Sequence, residues 1–185
     1  MSGLTLLGVS MTTAWVTFIL LGAWLTEYLR VERQSVLWLS AALTGINVAG
    51  SGIGRVVGGM VTKQGRERLA IIWFYGLVTV LAVCMFFPAP LTVILTLAFF
   101  VVAVTSMGFA PTVRLTHQIA GSGLQGTAMG YVLTLGMVFG SLFPPLFGWL
   151  VEISGSFLMG FLVVVACPLA GFLAMLRFHS RTESR

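Results

Sequence analysis

The chain has 185 residues, 58% of them apolar and only 8% charged, against roughly a quarter charged in an ordinary soluble domain. That balance excludes a water-soluble globular protein and predicts an integral membrane protein whose first partner is the lipid bilayer. The formal net charge is +5, but the basic residues are dispersed through short loops and tails. They read as positive-inside asymmetry, and nucleic acid is not expected as a partner.

The charge-free run from Met1 to Thr26 lacks the basic start of a signal peptide and exceeds its usual apolar stretch, so it reads as a retained first span. A span needs about 20 apolar residues, and charges divide the chain into candidates at 4–26, 36–61, 69–87, 91–113, 125–150 and 157–176. The expected fold class is therefore all-α, one polytopic bundle of six transmembrane helices occupying 1–185. The stretch Leu69 to Val113 carries no charge and would be about 67 Å long as a single helix, far beyond a bilayer. Pro88-Ala89-Pro90 is the expected turn within it. Gly121, Ser122 and Gly123 precede the fifth span. Pro144-Pro145 inside that span predict a kinked or broken helix, and Pro168 a bend in the sixth.

Six spans place both termini on one side, with the loops at 62–68 and 114–124. Lys63, Arg66, Arg68, Arg114, Arg177, Arg181 and Arg185 fall on that side, against Arg30 and Arg33 on the other. The expected location is the cell membrane, plasma or inner, multi-pass, with both termini cytoplasmic. Trp24, Trp38 and Trp149 fall at the expected outer interface and Trp73 near the inner one, as aromatic belts do.

In the second span Gly50, Gly54 and Gly58 recur every fourth residue, a bare stripe that lets another helix backbone approach. Beside it Ser40, Thr44, Asn47, Ser51, Arg55 and Thr62 fall within a sector of about 80°, a face that lipid tails could not solvate. Arg55 is the only basic residue inside a span, which makes it a functional candidate; snorkelling to the interface is the competing reading. The spacing Gly50, Gly54, Gly58, Thr62, Gly65 returns as Gly140, Pro144, Gly148, Glu152, Gly155. Two inverted three-helix repeats would produce that recurrence, with coincidence in a glycine-rich chain as the rival.

The run GGMVTKQGRER from Gly58 to Arg68 resembles the loop signature of the major facilitator superfamily, with Thr62 where that signature usually has Asp. Further similarity lies in AWLTEYL at 23–29, Gly54-Arg55, GTAMG at 126–130 and GSLFPPLFGWLVEISGSF at 140–157. Together these resemble the C-terminal six helices of that superfamily over nearly the whole chain, and imply that its N-terminal six are absent from it. By that resemblance Gly58, Thr62, Lys63, Gly65, Arg66 and Arg68 are conformational or gating candidates, and Arg55, as an intramembrane charge, and Asn47, which shares its polar face, join them. The first and fourth helices would line the central cavity, which makes Thr13, Thr17, Trp24, Thr96, Phe99 and Ser106 candidate contacts for a small-molecule substrate. The alternative for the hydroxyls is a bond back to their own helix.

No Asp occurs, and the five Glu residues fall at span ends or beyond, so a proton-carrying carboxylate would come from another polypeptide. His117 and His179 read as solvated, and Cys84 and Cys167 as buried small hydrophobes. No nucleophile with its base, phosphate-cradling loop or metal-ligand spacing appears, so neither an enzyme nor a cofactor is expected. Two readings follow. The chain is half of a secondary transporter that needs a second six-helix half or a second copy of itself, or it is a non-transporting remnant or helix-binding scaffold. The charge asymmetry makes a direct prediction about topology. Single cysteines at Ser2, Ala89 and Ser184 should label from outside at Ala89 alone, and labelling of all three from one side would end the six-span topology.

Overall fold

The computed structural model describes residues 3–32, 34–85, 87 and 89–178. Ser2, Arg33, Pro88, His179, Arg181, Glu183, Ser184 and Arg185, named above or among the charged residues, lie outside the described residues. Seven helices follow in order: α1 Gly3–Val31, α2 Leu37–Val61, α3 Glu67–Cys84, α4 Leu91–Met107, α5 Phe109–Ala120, α6 Gln125–Ser154 and α7 Phe157–Arg177, with no strand among the described residues. Because α4 and α5 run on as Leu91–Ala120, six segments are long and apolar enough to cross a membrane. These support an all-helical, multi-pass membrane protein.

α1 is the central helix, packed against α2, α4, α5, α6 and α7. Its sequence explains the position, since Ser10, Thr13 and Thr17 carry hydroxyls that hydrocarbon cannot satisfy, and all three are buried. Around them two apolar clusters fill the bundle. Leu7 and Met11 join Ile71, Tyr75, Val132 and Met175 towards the end that carries the basic 62–66 loop. Val16, Leu20 and Leu21 join Val78, Val101, Val102, Phe147 and Val164 farther along.

The glycine stripe of α2 meets α4. A Cβ on Gly50 would touch the Phe99 ring at 3.0 Å, one on Gly54 would collide with the Ala103 carbonyl oxygen, and one on Gly58 with that of Met107. The contacted residues of α4 also recur every fourth position and in the same order, so the two helices run parallel with matched ridges. Backbone against backbone is the geometry that small residues permit in lipid, where association depends on van der Waals contact.

The fourth span differs from its expected bounds, 91–113, because the helix continues to Ala120 and the 114–124 loop shrinks to the turn at 121–124. Arg114 has the look of a span end, yet its guanidinium donates to the carbonyls of Thr62 at 3.0 Å and Gly59 at 3.2 Å, so the charge is satisfied without ending the helix. The chain turns tightly at Gly108 instead, whose N–H reaches Thr105 O at 3.2 Å. Pro111, three residues on, supplies no N–H for the Met107 carbonyl, which is the oxygen Gly58 covers. Pro144-Pro145 do not break α6, which runs from Gln125 to Ser154 with both prolines inside it. On that helix Gly136 lies against Trp15, and Gly148 against Trp24.

Gly54→Leu tests the α2–α4 contact. Its side chain has no space short of moving the Ala103 backbone, and overpacking of this kind costs about 1–3 kcal/mol or more. Melting temperature and protease resistance in detergent should both fall. Gly52→Leu, where no atom lies within 4 Å, should leave both unchanged, and equal tolerance of the two substitutions would remove the packing role from the stripe.

Candidate functional site

Three polar arrangements divide the candidate residues. The first is at the basic end. α2 closes on Thr62, whose N–H and hydroxyl both donate to Gly58 O, at 3.2 and 2.7 Å. The chain then turns through Gly65, held at φ +82, a conformation that a side chain would strain. Arg114 donates to two carbonyls at the end of α2, and Arg68 donates through Nε to Met175 O at 3.2 Å and through Nη2 to Leu176 O at 3.1 Å at the end of α7. Each arginine thus supplies both charge and donors to a helix C-terminus, where carbonyls lack partners and the dipole is negative. Lys63 and Arg66 stay exposed.

Next to this clamp Glu67, the first residue of α3, is only 2% exposed. Sequence places it at a span end, where exposure to the interface is the natural expectation, and the structure buries it instead. One of its oxygens has no hydrogen bond, and it lines a recess with Gln64, Arg114, His117 and Gln118. His117 itself is exposed.

The second arrangement is internal. Tyr75 donates its hydroxyl to Ser10 O at 2.7 Å, and Ser10 Oγ reaches Tyr75 Oη and Thr112 Oγ1, both at 3.3 Å. Thr112 donates in turn to Gly108 O at 2.7 Å, and Thr13 to Cys167 O at 2.9 Å. These bonds tie α1 to α3, α5 and α7 through the middle of the bundle. Thr17 is fully buried with an unpartnered hydroxyl. Trp24 stacks on Phe147 at 5.1 Å and fills the space over Gly148. Thr13, Thr17 and Trp24 therefore sit in contacts between helices of this chain. Thr96 is exposed and donates to Thr92 O at 2.7 Å, the back-bond that competes with a substrate role. Phe99 lies over Gly50.

The third arrangement opens outward. Arg55 of α2 is exposed, and its guanidinium carbon lies 4.9 Å from the Phe109 ring centroid and 6.0 Å from that of Trp15. Such distances fit cation–π contact. Ala14, Trp15, Arg55, Ser106 and Phe109 line a small recess here, contributed by α1, α2, α4 and α5. Asn47, two turns earlier on α2, is buried and donates to Leu43 O at 3.0 Å, leaving its oxygen without a partner. Of the residues chosen from sequence, only Arg55 and Ser106 meet in this recess.

Sequence reasoning misses Trp15, Phe109, Tyr75, Glu67 and the bridging role of Arg114. Trp15 lies on a different face of α1 from Thr13 and Thr17, so a search for a polar stripe passes over it. A usable signal is the lone intramembrane arginine itself, because a cation at that depth calls for aromatic or polar company from neighbouring helices. No group of acidic, histidine and cysteine side chains could hold a metal ion among the described residues. No protein-family model matches the chain, and no curated protein matches it.

Proposed function

We propose that this chain is one half of a secondary transporter. It would correspond to the C-terminal six helices of the major facilitator superfamily that its sequence resembles, and would move a small solute across the cell membrane by alternating access. The observation that carries this reading is the pattern of helix pairs. Exchanging α1 with α4–α5, α2 with α6 and α3 with α7 converts the pair α2–α4 into α6–α1, α1–α7 into α4–α3, and α1–α2 into α5–α6, and all of these pairs are in contact, while the contact between α6 and α7 has no counterpart of like extent between α2 and α3. The glycines follow the exchange, because those of α2 lie against α4 while Gly140 and Gly148 of α6 lie against α1. Two three-helix repeats of opposite direction have this property, and they are the usual frame of an alternating-access site.

The Arg55 recess supports the reading further, since Arg55 is exposed on the bundle surface and free to meet a second bundle. Thr62 back-bonds to Gly58 O in place of the acidic side chain usual at that point of the signature, and the buried Glu67 lies five residues on. The basic loops put both termini in the cytoplasm on this reading. A non-transporting scaffold is favoured by a different observation. A Cβ added to Gly45, Gly52, Gly126 or Gly130 would meet no atom within 4 Å, which leaves small-residue faces open to a partner helix.

Proteoliposomes separate the two. The chain alone, diluted to one copy per vesicle, should give no uptake from a panel of small solutes, while co-expression with an N-terminal six-helix unit, or a tandem fusion of two copies, should give uptake. Arg55→Ala in the active assembly should lower turnover by about tenfold, the scale of one charge-assisted contact, with an unchanged melting temperature. Uptake by single copies would refute the need for assembly, and silence of every assembly would favour the scaffold.

A further inference from the structure

The recess beside Arg55 offers hydrogen-bond donors and no charged acceptor. A guanidinium carries five N–H groups and cannot accept. Here Phe109 and Trp15 take its ring-facing sides at 4.9 and 6.0 Å, and its N–H groups have no hydrogen bond or ion pair among the described residues. Ser106 lines the same recess at 3% exposure. The Trp15 indole N–H, donor only, is buried without an acceptor, on the edge of the ring that faces Gly136 of α6. Arg55 of α2 and Ser106 of α4 thus line one recess.

Among the described residues no carboxylate answers this charge. The chain contains no Asp, and its described glutamates stand elsewhere: Glu67 buried beside Gln64 and Gln118, Glu27 paired with Arg30 at 3.1 Å, Glu32 and Glu152 exposed near the opposite end of the helices. A guanidinium on a membrane span with no carboxylate beside it favours an anion. We propose that the recess binds the oxyanionic head of a small organic solute, a carboxylate, sulfonate or phosphate ester, with Arg55 pairing the charge and Ser106 donating to it. The inference rests on the transporter reading for its solute, and adds the substrate's charge class. The recess has room for about one water, so the head rests at its mouth against the exposed guanidinium and the apolar body lies over the open face beside Phe109.

The test measures binding and needs no transport. In phosphatidylcholine nanodiscs the purified chain is titrated with benzenesulfonate, its neutral counterpart benzenesulfonamide, and benzyltrimethylammonium, followed by calorimetry and by melting temperature. Benzenesulfonate should bind saturably and raise the melting temperature, with the other two at least tenfold weaker. Arg55→Gln should weaken benzenesulfonate roughly tenfold or more while leaving the ligand-free melting temperature unchanged, and Arg55→Lys should keep part of the affinity. Should phosphatidylglycerol in the nanodisc compete benzenesulfonate away from wild type but not alter Arg55→Gln, the oxyanion site stands and a lipid head group is shown to reach it. Equal binding of sulfonate and sulfonamide, or sulfonate binding indifferent to Arg55→Gln, overturns the proposal. So does a wild-type chain that ignores all three probes; if Arg55→Gln then speeds subunit exchange in the co-expressed assembly, the guanidinium answers a carboxylate of the second unit. Sulfonate binding by a chain whose assemblies never transport would uphold the anion site and refute the transporter, and transport of neutral solutes without sulfonate binding would do the reverse.

Discussion

A carbonyl group in or near hydrocarbon has no water to turn to, and the ends of the helices in this protein are arranged around that fact. The last carbonyls of α2 are met by Arg114, reaching from α5, and those of α7 by Arg68, reaching from α3. The Met107 carbonyl, which Pro111 cannot serve, is covered by the bare backbone of Gly58. In each case the partner comes from a different helix, so satisfying local backbone chemistry fixes which helices are neighbours. The glycine stripe, the basic loop and the break at Gly108 are parts of one solution.

The same dependence on distant partners separates what the sequence reveals from what it hides. Span number and the α3–α4 turn are legible because they follow from charge spacing and proline content, which act locally. Charge spacing alone ends the fourth span too early, because a charge signals an interface, whereas a long arginine can stay on a helix and spend its donors on another. Proline is ambiguous in a similar way. Pro111 accompanies a turn in the chain, while Pro144 and Pro145 lie within an unbroken helix.

The candidate site is less legible still. A helical wheel says which residues share a face, and Thr13 and Thr17 do, but it does not say which neighbour that face meets. Their face turns towards the interior of the bundle. The outward recess needs Trp15, Arg55, Ser106 and Phe109 from four helices, a juxtaposition set by the α2–α4 approach and by the turn at Gly108, neither of which has a local signature. Glu67 shows the same limit, since its position at a span end is evident and its burial depends on α5 continuing past the expected end of the fourth span.

The bond from Thr13 to Cys167 O spans 154 residues. During synthesis at roughly 5–20 residues per second, its acceptor emerges about 8–30 s after the donor. α1 enters the membrane ahead of α2–α7 and must wait there as the future centre of a bundle whose walls from those helices do not yet exist. Thr13 Oγ1 also lies 3.3 Å from Val9 O, a bond available within α1 alone. That back-bond gives the hydroxyl a partner from the moment of insertion, so the polar centre of the finished protein can reside in lipid as a solitary helix until α7 arrives.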